Sequence, residues 1–420
     1  MLTKALLKRE VYGIEVKGQT LFYAPLTRSF ALCDGIVDLY GVDRDWLKEA
    51  TSMRNVPGFV REKGFVYDEE KIRLRLNVTT RCNLRCDYCS VRAGSHSRNM
   101  SDSVAINAVR GFCKFAEERG AKTLEMVFSG GEPTLCMRVI KKSIAEGKKC
   151  LRGGIKLQPR LLTNGLFNRD EYLQIMGDIE EAQISWDGFF GENQRYGSDR
   201  RLANRVLDNI RFLIERRAAV SVLMVVSESN VDRVREVVDQ LYALGVRHIF
   251  LSLKENLGRA MEENLRVDFD ELSDAYLNLW KDYRAFGVDI NLTGTDIHSV
   301  SPFPCSVPIP NYSISPEGEI SACTISFNDN GSGRRRFRIG VVNSQGVVID
   351  SSAINEVRRF NVLNIPGCST CFAKWHCRGG CVYAKNGQWF TPLASTRCNM
   401  IRNILLGKLL YVMSEQSPDS

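Results

Sequence analysis

Three cysteines stand close together in the run Cys82-Asn-Leu-Arg-Cys86-Asp-Tyr-Cys89, directly after a strand-like stretch from Ile72 to Thr79. Three thiolates on one tight loop can hold three irons of a four-iron, four-sulfur cluster and leave the fourth iron without a protein ligand. A small chelating molecule can then occupy that iron. Tyr88 adds an aromatic face beside the third cysteine. Zinc or a disulfide is the plainer use of neighbouring cysteines. A structural zinc site, however, usually takes four ligands, in pairs such as CxxC. The nearest further candidates here are His96 and Cys113.

A second run, Ser129-Gly-Gly-Glu-Pro-Thr-Leu135, follows another apolar strand, Leu124 to Phe128. Gly130 and Gly131 let a backbone pass very close to a ligand. Glu132 offers a carboxylate to an ammonium group, and Pro133 stiffens the exit. An ordinary strand-to-helix turn fits the same residues. Together the two runs resemble the CxxxCxxC and GGEP signatures of the radical S-adenosylmethionine (radical SAM) enzymes. That resemblance implies that SAM takes the open iron through its amino and carboxylate groups, with Gly130, Gly131, Glu132 and Pro133 holding the amino end.

Residues 71 to about 295 alternate between strand-like and helix-like segments. Ile72, Leu74, Leu76 and Val78 alternate with Arg73, Arg75 and Asn77, the period of a strand. Ser101 or Asp102 caps a helix that ends at Gly120. Further strands fit Lys156 to Thr163, Ala182 to Asp187, Val220 to Val226 and Ile249 to Leu253, separated by helices such as Leu202 to Glu215, Val231 to Leu244 and Phe269 to Phe286. Six strands alternating with helices imply a parallel sheet with right-handed crossovers. By resemblance this is a partial (β/α)6 radical SAM barrel, open on one side. Thr163-Asn164-Gly165 and Ser185-Trp-Asp187-Gly188 end the third and fourth strands, at the rim where barrel ligands sit, and Arg195 lies a few residues beyond. They are similar to the TNG and S-x-DG segments of peptide-modifying relatives, which implies SAM contacts for Asn164, Ser185 and Arg195.

Residues 296–420 supply seven more cysteines in a definite order: Cys305, then Gly318 and Cys323, then Cys368-x2-Cys371-x5-Cys377-x3-Cys381, then Cys398. All seven resemble the array of the SPASM domain, a C-terminal extension of radical SAM enzymes that modify peptides and proteins. The resemblance implies one auxiliary four-iron cluster on Cys368, Cys371, Cys377 and Cys398. It implies another on Cys305, Cys323 and Cys381. Interleaved zinc sites would suit the spacings alone. Fully ligated relatives carry an eighth cysteine shortly before the first of the seven. Here that stretch holds only Asp296 and His298 as ligand candidates, so this cluster has either an open iron or one of those two as its fourth ligand. The sulfatase-maturing subfamily places an Asp after the cysteine matching Cys323. This chain has Thr324 there, which argues against that activity.

Residues 1–70 form a small α+β extension with paired strands at Val11 to Val16 and Thr20 to Ala24 and a helix at Asp43 to Met53. It is either a leader-peptide-recognition domain or an extension packing on the barrel. The whole chain, 420 residues with 44% hydrophobic and 25% charged, is ordinary for a globular protein. No apolar run approaches the ~18 residues that span a bilayer, and the start lacks a signal peptide's apolar core. A cytoplasmic, membrane-free protein is expected, its fourteen cysteines kept reduced. The net charge of +8 is a weak pointer to an anionic partner. Its sharpest local form, Gly333-Arg-Arg-Arg-Phe-Arg338, reads as a solvated loop, and no nucleic-acid-binding pattern appears.

The function these features imply is cleavage of SAM to a 5′-deoxyadenosyl radical that abstracts hydrogen from a ribosomally made precursor peptide or protein. A thioether or carbon–carbon cross-link is the expected product. Three 4Fe-4S clusters and an electron donor such as flavodoxin or ferredoxin are required. A radical SAM dehydrogenase acting on a small molecule or side chain is the alternative, and an iron-sulfur electron-transfer or scaffold protein is a remoter one.

Overall fold

The computed structural model describes residues 10–39, 41–57, 60–61, 64–65, 70–190, 194–262, 269–305, 311–328, 332–385 and 388–416. The first nine residues of the expected N-terminal extension lie outside them. Three antiparallel strands come first, β1 (Tyr12–Val16), β2 (Gln19–Ala24) and β3 (Ser29–Asp34), with β2 in the middle. A short helix, Arg44–Ala50, follows, its start capped by the Asp43 carboxylate, which accepts the N–H groups of Asp45 and Trp46. Val60–Arg61 (β4) and Gly64–Phe65 (β5) form a small ladder.

The main sheet begins at β6 (Lys71–Thr79) and continues through β7 (Thr123–Gly130), β8 (Lys156–Thr163), β9 (Glu181–Ser185), β10 (Val220–Val226) and β11 (His248–Leu253). Each neighbouring pair is parallel. These are the six strands expected from the sequence. A seventh, β12 (Asp289–Leu292), adds to β11 in parallel; four residues are too short to show a period. Ile72, Leu74, Leu76 and Val78 are fully buried against the helix layer, which includes Asp102–Glu118, capped by Ser101 as the sequence indicates. The opposite face of β6 carries Arg73, Arg75 and Asn77. There Glu125 on β7 receives Arg73, Lys71 (2.8 Å) and Arg160 (3.2 Å), so an ion network fills the base of the sheet's polar side.

The C-terminal third does not form a separate sheet. β13 (Asn311–Ile314) pairs in parallel with β6, and β14 (Glu319–Ser321), β15 (Arg338–Asn343) and β16 (Gly346–Ile349) extend the sheet antiparallel beyond it. The last helix, Ser395–Gln416, returns to pack on Phe269–Arg284 at the β12 end. The C-terminal region thus grips both ends of the parallel sheet. The basic run expected as a loop is instead a short helix, Ser332–Phe337, leading into β15. Arg334 pairs with Glu319 at 2.6 Å and Arg336 lies 3.7 Å from the Trp389 ring centre, contacts no local pattern announces. Among the described residues no helix is long and apolar enough to cross a membrane.

The N-terminal sheet is fastened to the same region. Glu10 is buried between the Lys374 ammonium (2.7 Å), the Trp375 indole N–H and the Tyr12 hydroxyl (2.6 Å). Removing one member of such a buried pair strands the other charge, at about 3–5 kcal/mol. Glu10→Ala is expected to lose stability on that scale in urea unfolding. The sheet-floor network gives a pH dependence. Burial alone would raise the Glu125 pKa, but Arg73 and Lys71 outweigh it and hold it at about 2, below the ordinary 4.5. A depressed folded-state pKa contributes stability above pH 4.5 that is lost as pH falls toward 2, here on the order of 3 kcal/mol. Acid unfolding of Glu125→Gln should lack that slope.

Candidate functional site

A flat ladder of seven strands spans about 29 Å from first to last. Yet Arg75, Ser129, Thr163, Ser185, Val225, Ser252 and Thr293, from or just past β6 to β12, all border one cavity of about 620 Å³. The sheet must therefore curve around that space. The same cavity is bordered by Cys82, Cys86 and Cys89 and also by Cys305, Cys377 and Cys381.

The cysteine loop leaves β6 and is closed at its base like a stem. Thr80 N donates to Arg98 O (2.9 Å), Gly94 N to Thr80 O (2.8 Å) and Met100 N to Val78 O (2.8 Å). Inside it, the Cys82 sulfur accepts Leu84 N–H and the Cys89 sulfur accepts Ala93 N–H, each at 3.4 Å. Such bonds favour thiolate, the form that binds iron. Burial works the other way and pushes the Cys82 thiol up to about 11. Among the described residues no three His, Cys, Asp or Glu side chains are set to hold one metal ion.

Gly130 and Gly131 have a task visible without any ligand. A side-chain carbon on Gly131 would lie 2.0 Å from Arg81 O, and one on Gly130 would lie 2.2 Å from Thr79 O. The two backbones are also joined by Gly131 N to Thr79 O and Glu132 N to Arg81 O, both 2.7 Å. The glycines bring β7 against the root of the cysteine loop. Glu132, the residue expected to take the SAM ammonium, lies behind the cavity wall in this structure. It is fully buried and accepts Thr134 N (3.1 Å), Thr134 Oγ1 (2.7 Å), Thr163 Oγ1 (2.8 Å) and Asn164 N (2.8 Å). It caps the short turn Pro133–Cys136, with Pro133 at the first position, and ties that turn to the end of β8.

Gly130, Gly131, Asn164, Ser185 and Arg195 all border the cavity. Asn164 Nδ2 donates to Asn83 Oδ1 at 2.7 Å and approaches the Cys82 sulfur at 3.8 Å, linking β8 to the loop. Arg195 is buried and paired with Asp187 (3.0 Å), which also accepts the Tyr88 hydroxyl and Val225 N–H (2.8 Å). The residue before the third cysteine is thereby fixed to the ends of β9 and β10.

Arg259 is a site residue that sequence reasoning missed. Its Nε donates to Cys86 O (2.8 Å), its Nη1 to Ala93 O (2.9 Å) and its N–H to Cys89 O (3.2 Å), clamping the loop from outside. Gly258 before it approaches so closely that a side chain would meet Cys89 O at 2.1 Å. A Gly-Arg pair beyond β11 carries no recognisable signature; only its place at a strand's C-terminal end pointed to the rim.

In the C-terminal region Cys368 ends the turn Pro366–Cys368, Cys377 ends the short helix Lys374–Cys377 with Cys371 between them, and Cys398 is on the first turn of the last helix. Burial pushes the Cys377 thiol up to about 12, and the neighbouring Cys398, Cys368 and Cys371 add to it. Burial likewise raises Cys323 to about 12, with Cys381 contributing. Cys305 is exposed at the end of a described stretch. His298 is also exposed, and neither it nor Asp296 borders the cavity. His376 is buried; burial lowers its pKa to about 4. Its Nδ1–H donates to Asp296 O (2.9 Å), so Nε2 accepts the Tyr23 hydroxyl (2.7 Å) and the ring is a strut to the N-terminal sheet.

Residues 76–241 match the model of the radical SAM superfamily. The chain carries a radical SAM domain. It is similar to the serine-type anaerobic sulfatase-maturating enzyme of Klebsiella aerogenes, 23% identical over 326 residues, covering 71% of this chain and 76% of that one. Among solved structures it resembles native anSMEcpe with bound AdoMet (TM-score 0.65, 15% identity, 82% of this chain and 99% of that one). It also resembles Streptococcus suis SuiB bound to precursor peptide SuiA (TM-score 0.56, 12% identity, 92% and 98%). These likenesses place the curved parallel sheet in the radical SAM fold.

Two substitutions separate loop support from ligand binding. Glu132→Gln leaves either Asn164 N or the threonine set without its acceptor, at about 1–3 kcal/mol. That loss should appear in unfolding curves without SAM. Arg259→Ala should leave Cys82, Cys86 and Cys89 in place yet lower the iron retained by the loop after reconstitution, read by iron analysis and visible absorbance.

Proposed function

We propose that this chain is a radical SAM enzyme that modifies a ribosomally made peptide or protein, with SAM on a cluster held by Cys82, Cys86 and Cys89. The observation that carries this reading is the single cavity bordered by those three thiols, by the C-terminal ends of seven parallel strands and by cysteines of the C-terminal array. Bound there, a four-iron cluster supplies the electron that cleaves SAM, and the resulting 5′-deoxyadenosyl radical abstracts a hydrogen from the substrate.

The chain's own residues bind, orient and exclude. The backbones of Gly130 and Gly131 and the side chains of Asn164, Ser185 and Arg195 hold SAM, while Glu132 and Pro133 shape the turn behind it. The C-terminal region walls off the cavity and holds two auxiliary clusters, one on Cys305, Cys323 and Cys381 and one on Cys368, Cys371, Cys377 and Cys398. The exposed position of His298, away from the cavity, favours an open iron in the first of these, where a substrate thiolate can bind. That supports a thioether product over a carbon–carbon bond. Thr324 borders the cavity and is bonded to Ser313 (2.9 Å), so no carboxylate base stands where the sulfatase-maturing pattern has one.

Residues 1–70 are read as a leader-peptide-recognition domain, supported by the outer position of β3 and by exposed Leu32, Ile36 and Leu39 beside it. The barrel occupies 71–295 and the cluster-bearing region 296–420. The enzyme works in the reducing cytoplasm, takes electrons from a flavodoxin or ferredoxin, and needs neither nucleic acid nor membrane.

Replacing Cys82, Cys86 and Cys89 together by Ala should abolish 5′-deoxyadenosine formation in an anaerobic assay and remove about four irons per chain. Undiminished SAM cleavage by that variant would falsify the reading. A cysteine-containing substrate peptide should change the spectrum of the cluster on Cys305, Cys323 and Cys381. His298→Ala should leave that spectrum as it is; a shift there would favour the His-ligated alternative.

A further inference from the structure

The polar face of β6 carries three long side chains in a row, and two of them are satisfied. Arg73 is bound to Glu125, and Asn77 donates to Ile314 O (3.0 Å) and accepts from Ser129 (3.0 Å). Arg75, between them, borders the cavity with its Nε out of solvent and without a hydrogen-bond partner. It lies within electrostatic reach of Cys305 and Cys323, and no carboxylate among the described residues pairs with it at ion-pair distance.

Arg378 borders the same cavity, from the C-terminal cysteine region, and shares Cys305 with Arg75 as a charged neighbour. Its Nη2 donates to the Ser299 hydroxyl, while its Nε is likewise buried and unpartnered. Its backbone holds φ +59, in the left-handed region that a residue with a side chain adopts only at a cost. Gly379 and Gly380 follow it, so the sequence places a side chain in this conformation although glycine stands on the next two positions. That is the pattern of a side chain kept for what its head group does.

The other cations of the cavity wall are accounted for. Arg195 pairs with Asp187, Lys254 with Glu228 (3.1 Å) and Arg397 with Glu255 (2.6 Å), and Arg259 is spent on loop carbonyls. Glu255 is the one carboxylate among the described residues of that wall. Two guanidinium groups therefore face the cavity without a carboxylate at ion-pair distance among the described residues, although Asp296 lies within electrostatic reach of Arg378 and Cys305 within reach of both.

We propose that Arg75 and Arg378 form a carboxylate-binding site for the substrate peptide, taking an Asp or Glu side chain or a free C-terminus. A guanidinium offers parallel N–H donors that match the two oxygens of a carboxylate, so the pairing is both strong and directional. Engaged from β6 and from the C-terminal cysteine loop at once, the carboxylate fixes the position of the peptide relative to the cysteines that border the cavity.

This inference rests on the substrate being a peptide, and its test reads binding alone, so it stands apart from SAM cleavage. Immobilised, reconstituted enzyme with SAM and no reductant is offered two random synthetic hexapeptide pools, one with free C-termini and one amidated, and retained peptides are sequenced by mass spectrometry. Retained peptides should be enriched about tenfold or more in carboxylate, as expected for a charge-assisted bond. Enrichment in both pools identifies an acidic side chain; enrichment in the free pool alone identifies the C-terminus. Arg75→Gln and Arg378→Gly should each abolish it, with iron content and cluster electron paramagnetic resonance spectra unchanged, and Arg75→Lys should keep part of it. Glycine relieves the left-handed backbone, so Arg378→Gly folds even where Arg75→Gln does not. No carboxylate preference in the wild type overturns the proposal. So does a preference that survives in the variants while their cluster spectra shift, which would make the two arginines counter-cations of a cluster.

Discussion

The approach of the Gly130–Gly131 backbone to Thr79–Arg81 is the contact on which the site depends. Two carbonyls and two N–H groups meet there with no space for a side-chain carbon. This contact seats the end of β7 against the root of the cysteine loop. Glu132, held in the same turn, then reaches across to Thr163 and Asn164, and Asn164 reaches back to Asn83 and Cys82. Three strand ends are joined through one turn, and the loop is positioned before any iron arrives. Arg259 closes the far side by binding the carbonyls of Cys86, Cys89 and Ala93 through side chain and backbone.

Charge is sorted by depth. At the base of the polar face, Glu125 gathers Lys71, Arg73 and Arg160 into a closed network. At the rim, Arg195 is neutralised by Asp187 and also sits over the Tyr88 ring, 5.5 Å from its centre. Between these levels the wall is cationic. A cationic wall favours anionic contents.

What the sequence disclosed follows from how local each signal is. The alternation along β6 and the capping serine at 101 depend on neighbours in the chain, so strand and helix were both legible. So were the six strands of the parallel sheet, each five residues long or more. β12 and β13 were not, because Asp289–Leu292 and Asn311–Ile314 have four residues each and become strands only by pairing with β11 and β6. At the site, Cys82, Cys86, Cys89 and the paired glycines were visible as motifs. The bonds of Glu132 to Thr163 and Asn164 were not legible, because those partners are 31 and 32 positions away. Arg259, more than 160 residues from its partners, left no pattern at all.

The pairing of β13 with β6 has a consequence for how the chain can be divided. The ladder runs from β12 to β16 without a break, and β6, whose Ile72, Leu74, Leu76 and Val78 are fully buried, lies inside it. A chain shortened to end at residue 295 would turn that strand into an open edge, with a row of unmet N–H and C=O groups along an apolar ribbon. Such an edge recruits further strands from other molecules. The barrel and its C-terminal partner are thus one folding unit, and neither can be exchanged for a relative's counterpart unless the new segment brings a strand that fits β6.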